Sequence, residues 1–383
     1  MAFVLYVELR RHCFPYAAAP EMSPEAMAHK PWAVRLFAAA LRWYAQPMLP
    51  HDPLNNPLIE APFAYRVAGA LRVFARGLGQ VFLPLALSGD YSAPQEPIPT
   101  RLVFPESVIG AAAMVLPVVW TPIAAAASCL RARRERDLMP LVAFSAAWIV
   151  IAYFPVSNIP VLLPTVRAER FWYFPAIGTS VLLALAFSKA LSRHDAPLAR
   201  SAAVGLLVAF FGFQCFAAFC HARDYASDLA FWDATRKAVP MSAKAHLNYS
   251  VMLGARGDLA GRLAANEVAL GLAPQWPMAN VYVGDTLCRL HRAPEALPHY
   301  IRGFALAPND VNLIALGIQC LWDEHQFDEP AVARDALEEL ADKNPGTWLK
   351  YLVDDTLANG EENKGVDPKY RPRGYNEGPK KDE

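Results

Sequence analysis

Charge is what this sequence has least of. Only 19% of its 383 residues are Asp, Glu, Lys or Arg, against about 25% in an average soluble domain. Its 36 basic residues are matched by 36 acidic ones, so it lacks the basic excess that nucleic-acid binding by counterion release needs. With 54% hydrophobic residues it is not a charged, disordered chain either. Cysteine is scarce: the six lie at positions 13, 129, 215, 220, 288 and 320, with no CxxC pair and no zinc spacing. Three fall in apolar runs, and the expectation is buried, inert thiols rather than redox or metal chemistry. Without a His cluster, no metal cofactor is expected. There is no nucleotide-binding loop, no HExxH and no Ser/His/Asp signature.

Proline, by contrast, is plentiful: 33 residues, about twice the usual share of roughly 5%, which predicts broken helices and long loops. Mean hydropathy is +0.17, too high for an ordinary soluble protein and too low for a uniform membrane bundle. Two unlike halves would average to such a value. Charge is missing altogether from residues 107–130, 138–166, 171–188 and 201–220. A bilayer core about 30 Å thick takes about 20 apolar helical residues. These runs predict about four transmembrane helices, over 107–130, 138–155, 171–191 and 201–220. Pro117, Pro122 and Pro140 are tolerable there if neighbouring helices satisfy the freed carbonyls.

The short connections predict orientation. Residues 131–137 hold four arginines, and Lys189, Arg193 and Arg200 flank the join between the last two runs. The positive-inside rule makes that side cytoplasmic. The first hundred residues, the 156–171 connection and everything after residue 220 are then extracytoplasmic, although that side also carries Arg101, Arg167, Arg170, Arg223, Arg236 and Lys237. Met1–Leu9 is too short and too poor in basic residues for a secretory signal, and reads as the stub of an upstream helix in an N-terminal segment, 1–62. In the next stretch, 63–101, Phe63, Val67, Ala70, Leu71 and Phe74 keep helical spacing while Arg66, Arg72 and Arg76 interrupt it. The expectation there is an interfacial amphipathic helix leading into a short re-entrant segment, with a soluble amphipathic helix as the other possibility.

Beyond the membrane domain (102–220) composition changes. Pro240, Pro274 and Pro308 are 34 residues apart, as are Leu253, Leu287 and Leu321. That period belongs to helix–turn–helix units of the tetratricopeptide (TPR) type. Gly284, Leu287, Ala296, Tyr300 and Pro308 fall at its small, large, small, aromatic and terminal positions. The flanking units depart from the pattern, with Arg262 in place of a small residue and Pro345 three positions late. The fold class is therefore all-α: polytopic membrane helices, then an α-solenoid of TPR helix pairs over 221–358. The polar tail 359–383 is expected to be disordered.

Two polar clusters carry candidate chemistry. In Thr165–Pro175, Arg167, Glu169 and Arg170 stand beside Phe171, Trp172 and Tyr173. This is either an interfacial aromatic belt with snorkelling arginines or a site where guanidinium groups grip an anionic head group, with Glu169 orienting one arginine or acting as a base. In Leu87–Ser92, Asp90 is either a turn former or a carboxylate of the same external site.

Asn56-Pro57-Leu58, then Arg66, then Leu85–Ser92 with its Asp90-Tyr91 step, resemble the region before the late helices of transmembrane-and-TPR (TMTC-type) protein O-mannosyltransferases and their bacterial relatives. Phe154–Asn158 and Ala168–Gly178, with the Glu169-Arg170 pair, are similar to a later segment of that family, and Arg223–Trp232 to its junction with the first repeats. The resemblance runs over about residues 50–345. It implies a GT-C glycosyltransferase that takes a sugar from a polyprenyl-phosphate carrier and passes it to a protein hydroxyl on the extracytoplasmic side, with no other cofactor. The repeats would hold the acceptor protein. Carried over by motif, Arg167, Arg170 and Tyr173 would meet the lipid phosphate, Asp90 and Glu169 would be the catalytic carboxylates, and Tyr91 and Asn158 would be motif residues. The family's acidic loop after its first transmembrane helix has no match here; Asp52 and Glu60 do not occupy that position. The expected setting is a bacterial inner membrane with periplasmic repeats, or an ER membrane with lumenal ones. The rival readings are a non-catalytic, membrane-anchored TPR adaptor and a transporter fragment; the latter is disfavoured because no charge lies inside any span, Lys189 standing at the very end of the third.

Overall fold

A computed structural model describes residues 2–13, 24–44, 52–130, 138–192, 197–327 and 332–359. The arginine-rich link 131–137 and nearly all of the polar tail, from residue 360 on, lie outside them. The described residues are all-helical, without strands. Three helices precede the main body: α1 (Ala2–Cys13), α2 (Pro24–Met27) and α3 (Trp32–Tyr44). The body begins with α4 (Phe63–Phe82), followed by α5 (Pro105–Leu130), α6 (Met139–Tyr153), α7 (Pro175–Leu191) and α8 (Pro197–Asp224).

Among the described residues, three helical stretches are long and apolar enough to cross a membrane: Pro105–Ser128, Met139–Val156 and Pro197–Asp224. The fourth expected span is shorter than the charge-free run suggested. Glu169–Trp172 form a separate 3-10 turn and α7 starts only at Pro175. Its 17 residues rise about 26 Å, a little under a bilayer core.

The prolines behave differently from the expected helix breakers. Pro105, Pro175, Pro197 and Pro277 are first residues of helices, and Pro140 sits in the first turn of α6. There the missing N–H costs nothing and the fixed φ suits the helix. Pro117 and Pro122 lie inside α5, which continues through both. The Thr121 hydroxyl between them reaches the Pro117 carbonyl (2.7 Å) and that of Ala143 on α6 (3.0 Å).

Helices α4 to α8 pack in sequence, each on the next, and α4 also lies on the 169–172 turn. Close crossings are made by glycine: a Cβ on Gly110 would overlap the Leu71 carbonyl, and one on Gly77 the Trp172 ring. The α4 segment predicted as amphipathic is indeed a helix, with Ala68, Ala70, Val73 and Phe74 buried. The stretch after it, expected as a short re-entrant segment, is divided between helix and loop. Residues 77–82 complete α4, and the chain then runs as an irregular loop to residue 104. Phe74, Tyr153 and Trp172 make the aromatic centre of the bundle, with ring centroids 4.7–5.3 Å apart.

After a short α9 (Asp228–Ala238) come α10 (Ala243–Gly254) with α11 (Leu259–Leu272), α12 (Pro277–Arg289) with α13 (Ala293–Leu306), and α14 (Val311–Asp323) with α15 (Val332–Asp342), then α16 (Trp348–Asn359). The first helices of the three pairs begin at 243, 277 and 311, the 34-residue interval of the prolines. Each starts three residues after Pro240, Pro274 or Pro308; α16 keeps the same lead after Pro345, so the late proline marks a longer third pair. Ser242, Asp258 and Asp310 cap α10, α11 and α14 through side-chain oxygens. Arg262 fits where a small residue was expected because Gly254 faces its stem and buried Asp285 accepts its guanidinium at 2.6 Å.

The cysteines depart from expectation. Cys288 and Cys320 form a disulfide (Cα–Cα 6.4 Å), because α12 and α14 lie side by side and a 32-residue separation puts the thiols on facing surfaces. Cys215 and Cys220 are exposed on α8 rather than buried, as is Cys13 on α1.

Candidate functional site

Arg72, Arg76 and Gln80 repeat every fourth residue along α4 and so form one polar stripe on a helix whose remaining charge is Arg66. The stripe faces Glu96 of the following loop, which is fully buried. Glu96 accepts Arg167 at 2.7 Å on one oxygen, and Arg76 at 2.9 Å and Arg72 at 3.3 Å on the other. Arg76 also reaches Glu106 at 3.0 Å, on the first turn of α5. Burial lowers the Arg72 pKa and Glu96 opposes that shift. The cluster is an internal clamp, joining α4, the 83–104 loop, α5 and the 156–171 connection.

Arg167 continues the network. It donates to the Gln80 amide oxygen at 2.6 Å, and its guanidinium lies 4.2 Å from the centre of the Tyr91 ring. The Gln80 amide nitrogen donates to the Tyr91 hydroxyl at 2.9 Å, and Tyr91 in turn donates to Glu169 at 2.8 Å. Burial, reinforced by the Glu169 charge, pushes the Tyr91 phenol well above its ordinary value, so it remains a donor. The same Glu169 oxygen accepts the Ser88 amide at 2.6 Å. Its other oxygen stands 3.5 Å from His221 Nε2, while His221 Nδ1 lies 3.0 Å from Asp224. Glu169 is thus half-buried between a phenol, a backbone amide and an imidazole, at the end of α8. His221 and Asp224 also line an open cavity of about 490 Å³.

The other predicted residues have distinct placements. Asp90 is buried, its carboxylate accepting Ser92 (N at 3.0 Å), the Ser242 hydroxyl (2.8 Å) and, more distantly, Lys244 (3.5 Å). It ties the 88–92 loop to the start of α10. Asn158, at φ 63°, accepts from Asn56 (2.9 Å) and the Leu163 amide (2.8 Å) and donates to the Val166 carbonyl (3.2 Å), folding the connection over residues 55–58. Asn tolerates this left-handed backbone. Arg170 and Tyr173 point outward: Arg170 is exposed with its guanidinium 5.4 Å from the Phe171 ring and pairs with no carboxylate among the described residues, and Tyr173 is 76% exposed.

The structure therefore joins Tyr91, Arg167 and Glu169 in one network, sets Asp90 and Asn158 beside it as ties, and leaves Arg170 and Tyr173 at its rim. Sequence reasoning missed Glu96, Gln80 and His221. The signal for the first two was the four-residue spacing of Arg72, Arg76 and Gln80, which marks a polar face in search of a carboxylate. His221 had no local signal, because its partner Glu169 lies 52 residues earlier. All these contacts gather residues 52–62, 84–104, 154–172 and 221–245 at one end of the bundle, the set that the arginine links assign to one side.

Comparison with known proteins finds no matching family model, no matching curated protein and no matching solved structure.

Proposed function

We propose that the chain is a membrane glycosyltransferase of the GT-C/TPR type, moving a sugar from a polyprenyl-phosphate carrier to a protein hydroxyl on the extracytoplasmic side. Four helices, α5 to α8, would cross the membrane, and the 34-residue helix pairs would be a TPR-type array holding the acceptor. The observation that carries this reading is Glu169: a carboxylate at the bundle end, hydrogen-bonded by Tyr91 and Ser88 and next to the exposed Arg170. In the proposed step the acceptor oxygen attacks the anomeric carbon, its proton passes to Glu169, and the anomeric C–O bond breaks with its electron pair leaving on the polyprenyl phosphate. Arg170 would balance the phosphate charge, and Tyr173 would flank the lipid. The Cys288–Cys320 disulfide supports repeats in an oxidising compartment, where such bonds persist.

The test is sugar transfer in membranes supplied with labelled polyprenyl-phosphate sugar. Glu169→Gln is expected to lower transfer by about 10²–10⁴-fold, the usual worth of a general base. Arg170→Ala should lower it as well. Wild-type transfer by both variants removes the reading.

A membrane-anchored adaptor is favoured by a different observation. Arg167 is saturated by Glu96, Gln80 and Tyr91, and Asp90 by two serines, so neither is available to a substrate. Absence of transfer by the wild type, together with specific capture of a peptide by the repeats, would establish that alternative.

A further inference from the structure

The cavity beside His221 is built from parts that nothing in the proposed transfer uses. Its apolar wall comes from the last turns of α8, where Phe213, Phe216 and Ala217 face the 84–87 loop. Phe216 is 66% exposed about two turns before the end of the longest candidate span, and His221 and Asp224 follow at that end, the level at which a lipid's head group meets water. The polar rim is of mixed sign: Asp224 and His221 from α8, Lys237 from α9. Lys237 is exposed and shares one interaction with Asp233, leaving two of its donors. Asp224 engages His221 through one carboxylate oxygen. Glu169 stands behind His221.

Those charges select the ligand. A purely anionic head group would sit against Asp224 with Glu169 close behind, and like charges at short range cost free energy. A cationic one would meet Lys237. A head group carrying both signs can place each on its opposite while its chain lies along the aromatic wall. We infer that this cavity binds a zwitterionic aminophospholipid, its phosphate at Lys237, its ammonium at Asp224 and an acyl chain along Phe213 and Phe216. A lipid held there would bridge α8 and α9, and so the membrane bundle and the first helix before the repeats.

The test uses the full chain in nanodiscs of equimolar phosphatidylethanolamine and phosphatidylglycerol, with lipid adducts read by native mass spectrometry after release. The expected result is selective retention of phosphatidylethanolamine. Lys237→Gln and Asp224→Asn should each weaken that retention by up to about fivefold, the worth of one exposed ion pair. Ala217→Trp, which fills the wall, should abolish it. Lys237 is exposed, so its variant keeps the fold if the Ala217 variant does not. Equal retention of the two lipids, or retention unchanged in Lys237→Gln, would overturn the assignment.

Discussion

Glu96 illustrates how one carboxylate organises this protein. It is fully buried and neutralises parts of three arginines. Removing its charge leaves Arg72 and Arg167, both about nine-tenths buried, without their anion. Breaking a buried pair in this way typically costs about 3–5 kcal/mol, so Glu96→Gln is expected to lower the melting temperature of the detergent-solubilised protein sharply, whereas Glu106→Gln, at a partly exposed pair, should do little. Equal effects would mean that Glu96 is not the hub. In the repeats, burial lowers the pKa of His246, a shift partly opposed by its bond to the Pro240 carbonyl, and burial likewise lowers that of His299. With folded pKa values below the unfolded 6.5, the unfolded chain takes up protons first as pH falls. The stability held above about pH 6.5 is therefore lost on acidification through the window between the unfolded and folded values. Melting curves across that window should show the loss, and His246→Gln with His299→Gln should flatten it.

At the scale of elements, helix crossings set by glycine make contrasting predictions. Gly110 on α5 abuts the backbone of Leu71 on α4, while Gly212 on α8 has nothing within 4 Å of its would-be Cβ. Gly110→Ala should push the two helices apart at a cost of about 1–3 kcal/mol. Gly212→Ala should be neutral or stabilising by up to about 1 kcal/mol through helix propensity. Thermal unfolding of the two variants side by side checks this. Elements of this kind were legible in the sequence because they rest on local periodicity: the charge-free runs became α5 to α8, and the proline interval became the starts of α10, α12 and α14. The third run misled by four residues because Phe171–Phe174 are apolar yet sit in a 3-10 turn and the approach to α7. Trp172, with Phe171 alongside, serves the aromatic centre, where it stacks on Phe74, rather than a span, while Tyr173 and Phe174 are exposed. The site was half legible. Tyr91 and Glu169 lie in recognisable motifs, but the Glu96 clamp and the Glu169–His221 approach join residues 20 to 71 and 52 positions apart, separations that no local spacing encodes. The role of Asp90 was hidden for the same reason, since its partner Ser242 is 152 residues on.

For the molecule as a whole, the arrangement commits to a topology that can be measured. The network gathers the 84–104 loop, the 156–171 connection and the start of α10 at one end of the bundle, while α7 runs away from that end to Leu191 and Ser192. On the proposed orientation this far end is cytoplasmic, and the repeats with their Cys288–Cys320 disulfide lie in an oxidising compartment. Single cysteines introduced at Met241 and at Ser192, in a background with the unpaired native cysteines replaced, should therefore behave oppositely toward a membrane-impermeant maleimide on intact spheroplasts. Met241→Cys, exposed just before α10, is expected to label at once, and Ser192→Cys only after permeabilisation. In the same cells Cys288 and Cys320 should resist alkylation until reduced. In the chain-entropy view, a bond closing a loop with 32-residue separation stabilises the folded array by about 3–4 kcal/mol, so reduction should lower the melting temperature of the repeats. Immediate labelling at Ser192 with protection at Met241 would place the repeats in the cytoplasm. That inversion would remove both the extracytoplasmic transfer reaction and the reason for a stable disulfide, because the two depend on the same side of the membrane.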